Sequence, residues 1–167
     1  DLITALRMFA DPPKANPRLT NISILLRDTV ERVCRDLGQM VHKIEFYVKT
    51  QNEIPPVMVD PEQLGQAVTE LLLNAAQSHP KQSVQVSATF AASEPTLVIA
   101  VSDDGDGMDA ATMSHAMDPF FSAKKAGRRT GMGLARCSQW VAGHGGTLGL
   151  RSTVDKGTKA TIKIPLD

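Results

Sequence analysis

The sequence has no excess of either charge. Lysine and arginine together number 18, and aspartate and glutamate together also number 18. A chain without a basic excess has no electrostatic reason to take nucleic acid or an anionic membrane as its main partner. The two cysteines, Cys34 and Cys137, lie far apart and lack metal-ligand spacing. They predict buried thiols in a reducing compartment, not a zinc site or a disulfide.

Several other signals are missing. No apolar run has the length of a membrane span, and no signal peptide is visible. No GxGxxG follows an early strand and no GxxxxGK[ST] occurs, which excludes the Rossmann and P-loop nucleotide folds. The length fits one domain with a real core. We therefore expect a soluble, cytoplasmic domain without membrane contact of its own.

The strongest helical pattern lies between Asp60 and Pro80. Asp60 is a good N-cap and Pro61 occupies the first helical position. One apolar stripe is predicted to face the core, and it consists of Leu64, Val68, Leu71, Leu72 and Ala75. A separate polar stripe contains Glu70, Asn74 and Gln77. Taken alone, this pattern predicts a core helix with a solvated back.

The rest of the chain interleaves helices with strands. Further helices are predicted over 1–10, 21–40, 110–117 and 131–146, and strands over 44–50, 57–59, 84–90, 97–101, 147–153 and 158–166. The short AASEP connection at 91–95 favours an antiparallel pair for the strands that flank it. The stretch 118–131 has no clear period and predicts a long loop. These patterns favour an α+β fold, a two-layer α/β sandwich in which about three helices cover one face of a mixed sheet.

Five short motifs occur in order along this pattern. They are ELLLNAAQ (70–77), DDGDGM (103–108), DPFF (118–121), GMGLA (131–135) and GTKATIKIPL (157–166). Together they resemble the N, G1, F, G2 and G3 boxes of the ATP-binding domain of bacterial sensor histidine kinases. That domain belongs to the GHKL superfamily, which includes DNA gyrase, MutL and the heat-shock chaperone ATPases. The resemblance covers about residues 20–167, implies the Bergerat-type ATP-binding fold, and is greatest to the nitrogen-regulation and dicarboxylate-sensing kinases.

The resemblance gives roles to the polar stripe of the central helix. Asn74 would offer an amide oxygen to Mg²⁺, which often takes only one or two protein oxygens beside phosphates and water. Glu70 would act as the general base that accepts a proton from the incoming histidine imidazole. Gln77 would also contact nucleotide, although many relatives carry a basic residue at its position. The alternatives are a solvated helical asparagine and a surface carboxylate.

The resemblance assigns the base of the nucleotide to the second motif. Asp103 ends a buried strand, where an unpaired carboxylate is costly, so a donor partner is needed. The family supplies the amino group of adenine as that donor. Gly105 and Gly107 would let the backbone pass close under the base, and Met108 would line the pocket. The alternative is a turn carboxylate at a strand end.

The phosphates would lie against the lid and the helix that follows it. Backbone N–H groups at the start of that helix favour anions, although a flexible glycine hinge is the alternative. Lys124 is the lid cation expected at the γ-phosphate. Arg129 stands where relatives commonly have glycine, which should stiffen the lid or change its charge. The predicted contacts of this part are Phe121, Lys124, Thr130, Gly131, Met132, Gly133 and Leu134, with Thr158 on the phosphate side.

None of the histidines has the His-Glu or His-Asp context of a phosphoacceptor helix; they are His42, His79, His115 and His144. His79 and His144 are predicted to be structural. We expect residues 18–167 to form a catalytic ATP-binding domain that passes the γ-phosphoryl group to a histidine on a separate domain. Residues 1–17 would be the end of that dimerisation and phosphoacceptor domain plus a linker.

The remaining expectations concern partners. This fragment should be a monomer and the full-length protein a dimer, and the sequence leaves membrane anchoring of the full-length protein open. A response regulator should be an indirect partner. The alternatives are a GHKL ATPase that hydrolyses ATP and a non-catalytic nucleotide-sensing module.

Overall fold

The computed structural model describes residues 2–38, 44–50, 53–118 and 133–166. In chain order the elements are α1 (Leu2–Ala10), β1 (Arg18–Thr20), α2 (Ile22–Leu37), β2 (Glu45–Thr50), β3 (Val57–Val59), α3 (Pro61–Gln77), β4 (Ser83–Ala91), β5 (Thr96–Asp103), α4 (Ala110–His115), α5 (Gly133–Gly143), β6 (Thr147–Thr153) and β7 (Gly157–Pro165). The elements predicted from sequence are all present within these ranges. β1 is present but was not predicted, because a strand of three residues is too short to show a sequence period.

The main sheet has five strands in the order β2-β4-β5-β7-β6. β2 and β4 run parallel, and the chain between them includes α3. The other neighbours are antiparallel, which confirms the pairing predicted for β4 and β5. β5 is the central strand, and its residues Leu97, Ile99 and Val101 are buried. β1 pairs separately with β3 in a two-stranded sheet.

Helices α2, α3 and α5 pack on one face of the main sheet. The predicted apolar stripe of α3 is buried throughout, and Ile22, Leu26 and Val33 of α2 join it. From α5, Cys137, Trp140 and Val141 complete this layer. Strand residues alternate between buried and more exposed positions, as a sheet with one covered face requires. The two-layer α+β prediction is confirmed.

The N-terminus of α3 is fixed by its cap and by the preceding segment. The Asp60 carboxylate accepts hydrogen bonds from the amides of Glu62 and Gln63 at 2.9 and 3.0 Å, as an N-cap does. It also accepts one from the amide of Asn16 at 2.8 Å, and the Gln63 side chain donates to Pro13 O at 3.0 Å. The segment 11–17 is therefore bound to the domain at this point.

No helix in the parts of the chain described above is both long and apolar enough to cross a bilayer. The predicted lid falls almost entirely outside these parts. Phe121, Lys124, Thr130, Gly131 and Met132 lie outside the described residues.

Candidate active site

The first half of the site surrounds Asp103 at the end of β5. Asp103 Oδ1 lies 2.9 Å from Ser78 Oγ and accepts a hydrogen bond from the Gly105 amide at 2.9 Å. The Thr158 backbone amide also donates to this carboxylate. Ser78 directly follows α3, and its carbonyl accepts from the Asp106 amide at 2.8 Å. The end of α3 and the loop after β5 therefore hold Asp103 between them.

The electrostatics of Asp103 differ from those of an ordinary surface acid. Burial raises the pKa of its carboxyl group, and the donors from Gly105, Ser78 and Thr158 offset this only in part. The neighbouring charge of Asp104 acts in the same direction as burial. An incompletely compensated carboxylate of this kind favours a further hydrogen-bond donor.

The two predicted glycines are required by close contacts within the protein. A Cβ on Gly105 would lie 2.2 Å from Ser78 Oγ and 2.3 Å from Ser78 O. Gly107 has a φ of +67°, and a Cβ there would lie 2.0 Å from Thr153 O. Their small size thus lets the loop approach α3 and the β6–β7 turn. Their predicted contact with the base of a nucleotide stays a prediction.

Thr158 belongs to the Asp103 end of the site. It is the register partner of Asp103 across β5 and β7. Its Oγ1 lies 2.8 Å from Ser152 Oγ, which in turn accepts a hydrogen bond from the Met108 amide at 2.7 Å. Thr158 therefore lies beside Asp103, because residues opposite each other in a sheet share one location. Its predicted place on the phosphate side stays a prediction.

The second half of the site surrounds Glu70 on α3. Glu70 is only 8% exposed. Its Oε1 accepts a hydrogen bond from Arg136 Nη2 at 2.8 Å, which forms an ion pair between α3 and α5. The surface-carboxylate alternative is therefore wrong. Arg136 lies three residues after Gly133, the first residue of α5, so this pair marks the N-terminal end of α5.

The two halves are linked by α3 itself. Glu70 and Ser78 are separated by about 12 Å along the helix axis, from the rise of 1.5 Å per residue. Asn74 and Gln77 lie between them, and both are half-buried. Gly133 and the half-buried Leu134 begin α5 beside the Glu70 end. The structure thus arranges the described site residues along one side of α3.

The donor set fits a magnesium ion that is held mostly by nucleotide and water. Among the described residues, no three His, Cys, Asp or Glu side chains come together as a metal cage. Mg²⁺ with phosphates needs only one or two protein oxygens. The amide oxygen of Asn74 would be a ligand of the right chemistry.

The described histidines have structural partners. His144 Nε2 accepts a hydrogen bond from the Asp60 amide at 2.9 Å, and its Nδ1 lies 2.8 Å from Trp140 O. His79 Nδ1 lies 2.7 Å from Asp106 Oδ2 and His115 Nδ1 lies 2.8 Å from Asp118 Oδ2.

Three residues at the site escaped the sequence analysis. Ser78 contacts Asp103, Arg136 pairs with Glu70, and Ser152 bridges Met108 and Thr158. No local pattern marks them, since their partners are distant in sequence.

A comparison with known protein families covers the part of the chain that holds these residues. Residues 59–167 match the model of the histidine kinase-, DNA gyrase B- and HSP90-like ATPases. The chain belongs to this ATPase family. The match contains the Asp103 and Glu70 clusters and confirms the resemblance drawn from the five motifs.

Individual members of the ATPase family narrow the comparison. The sensor histidine kinase ZraS of Escherichia coli K12 is 27% identical over 166 residues, which is 99% of this chain and 35% of ZraS. A mycobacterial sensor histidine kinase, MprB, is 26% identical with a TM-score of 0.74 over 91% of this chain and 97% of that structure. Full-length ShkA in complex with AMPPNP is 21% identical, with a TM-score of 0.83 over 99% of this chain and 34% of ShkA. The chain therefore spans about a third of ZraS, and the likeness to ShkA concerns the fold alone.

Proposed function

We propose that this chain is the catalytic domain of a two-component sensor histidine kinase that transfers the γ-phosphoryl group of ATP to a histidine on a separate domain. The main support is the placement of two acids at either end of the second half of α3. Asp103 is held there through Ser78, and Glu70 through Arg136. This spacing suits a ligand with a base at one end and reactive phosphates at the other.

At the base end, Asp103 would accept a hydrogen bond from the adenine amino group. This donor would complete the compensation that burial leaves unfinished. Guanine carries a carbonyl at the matching position, which would face the carboxylate unfavourably, so ATP is preferred over GTP. Thr158 and Met108 would line the same end, because the structure joins them through Ser152.

At the phosphate end, Asn74 would hold Mg²⁺, which supplies charge neutralisation to the phosphates when it is bound. Gln77 would contribute a neutral contact nearby. The amides of Gly133 and Leu134 begin α5, and the positive end of this helix favours phosphate oxygens. Lid residues that we assign to the same end are Phe121, Lys124, Thr130, Gly131 and Met132.

Glu70 is our candidate general base. Its carboxylate would accept the proton of the acceptor imidazole, so that the other ring nitrogen can attack the γ-phosphorus. The acceptor histidine comes from a different domain, since the described histidines are engaged in structural contacts. Residues 1–17 would be the end of that dimerisation domain and its linker, and residues 18–167 the catalytic domain. The domain would act in the cytoplasm, as a monomer when isolated, and a response regulator would receive the phosphoryl group later.

The decisive experiment mixes this chain with labelled ATP, Mg²⁺ and the phosphoacceptor domain of its parent protein. Acid-labile phosphate on the phosphoacceptor domain is the expected product. Free phosphate without labelled domain would instead support the ATPase alternative. Nucleotide binding without either product would support a sensing module. Glu70→Gln is the matched control and should slow transfer by about a hundredfold to ten-thousandfold while leaving ATP bound.

A further inference from the structure

The ion pair between Glu70 and Arg136 connects the two helices that frame the phosphate end of the site. Arg136 Nη2 donates to Glu70 Oε1 at 2.8 Å, and the two side chains are 28% and 11% exposed. Glu70 is on α3 and Arg136 is on α5, and these two helices pack against each other. The pair is thus largely shielded from water, unlike the exposed pair of Arg35 and Glu31 on α2.

The surroundings of Glu70 show that its charge is directed at α5. The thiol of Cys137, next to Arg136, is fully buried, and its pKa is raised by burial and then by the nearby charge of Glu70. Arg136 Nε is also buried and has no hydrogen-bond partner among the described residues. The guanidinium is therefore held inside this contact mainly by its bond to Glu70.

We infer that Arg136 is a positioning residue for Glu70, acting through that carboxylate and not through the nucleotide. This inference rests on the function proposed above. A base that accepts a proton from an incoming imidazole must be correctly oriented before the imidazole arrives. The guanidinium meets this need, because its hydrogen bond to Glu70 Oε1 restricts the rotamers of the carboxylate.

The location of Arg136 adds a second consequence. It lies in the first turn of α5, whose N-terminal amides would contact the phosphates. Arg136 thereby fixes the distance between the base on α3 and the helix end that orients the γ-phosphate. Lysine offers one ammonium in place of a planar fork, so it should restore this geometry only in part.

The test uses four variants: Arg136→Met, Arg136→Lys, Glu70→Gln and the double variant Arg136→Met/Glu70→Gln. Each is measured for ATP affinity, thermal unfolding and single-turnover transfer to the phosphoacceptor domain at saturating ATP. Arg136→Met should reduce the transfer rate by about tenfold to a hundredfold, because a small displacement of the base is costly. ATP affinity should stay within about twofold of the wild-type value, because the effects of substitutions at independent sites add to within about that factor. Arg136→Lys should regain part of the rate.

The double variant separates positioning from direct phosphate binding. If Arg136 acts only through Glu70, the double variant is no slower than Glu70→Gln. It also removes both buried charges, so it remains informative if Arg136→Met alone unfolds. Arg35→Met is the control for loss of a positive charge and should transfer at the wild-type rate.

Two results would overturn the inference: a further rate loss in the double variant, or wild-type transfer by folded Arg136→Met. Absence of transfer by the wild-type chain would instead refute the proposed function, so the two failures can be told apart.

Discussion

Asp103 and Asp104 are neighbours in sequence, yet the structure treats their carboxyl groups in opposite ways. Burial raises the pKa of Asp103, and its three protein donors only partly offset the effect. Asp104 also loses some solvent, but the amides of Gln82, Lys81 and Ser83 donate to it and hold its pKa below the ordinary value. The Lys81 amide donates to Asp104 Oδ1 at 2.8 Å.

This difference separates a binding role from a structural role. Asp104 closes the turn before β4, and its hydrogen-bonding needs are met by the protein. Asp103 is more deeply buried, and its three donors do not fully offset the effect of that burial on its pKa. A perturbed carboxylate of this kind is a common feature of residues that contact ligands. Charge and sequence position alone would not distinguish the two.

The largest expected effect comes from a substitution that disturbs the close packing of the loop after β5 against Ser78. Gly105→Ala places a Cβ 2.2 Å from Ser78 Oγ and 2.3 Å from its backbone carbonyl. Since backbone cannot move aside cheaply, we expect the free energy of unfolding to fall by about 3 kcal/mol or more. Urea denaturation measures this loss. Gly149→Ala is the matched control, because its nearest contact would be Thr161 O at 4.0 Å, and an unchanged Gly105→Ala protein would contradict the close packing.

A smaller effect separates the two aspartates directly. In Asp103→Asn the amide oxygen can keep the bonds from Ser78 and Gly105, which leaves an NH₂ group where a carboxylate oxygen was. ATP affinity should fall by about tenfold to a hundredfold, the usual value of a charge-assisted hydrogen bond. Isothermal titration checks this. Asp104→Asn is the control and should bind ATP normally, so equal losses in the two variants would refute the division of roles.

The smallest effect is the pH dependence of stability. Because the folded pKa of Asp103 is raised, the native state retains its proton longer, and stability falls as pH rises from 3.8 through the folded value. For Asp104 the folded pKa is lowered, so its contribution is present above 3.8 and is lost as pH falls through the folded value. The free energy of unfolding is measured for both Asn variants across this pH range. That of Asp103→Asn should rise relative to the wild-type value as pH rises. The stability deficit of Asp104→Asn relative to wild type should disappear as pH falls. Parallel curves of stability against pH for the wild type and both variants would contradict the assignment.

The sequence predicted most of the fold because the controlling signals are local. The N-cap Asp60, Pro61 and the apolar stripe of α3 fix that helix within one stretch of chain. Strict alternation marked β4, and a continuous apolar run marked the central β5. The order of the five motifs then identified the family. β1 was missed, since three residues carry no period and pair only with a distant β3.

By itself, then, the sequence determined the α+β architecture, the family and the two acids on which the proposed function depends. Only the tertiary structure decided their partners: Ser78 and Thr158 for Asp103, and Arg136 for Glu70. It also decided that Gly105 packs closely against Ser78. The physical reason is that periodicity and capping act between residues a few positions apart. Burial, ion pairs and close backbone contacts arise between segments that only folding brings together.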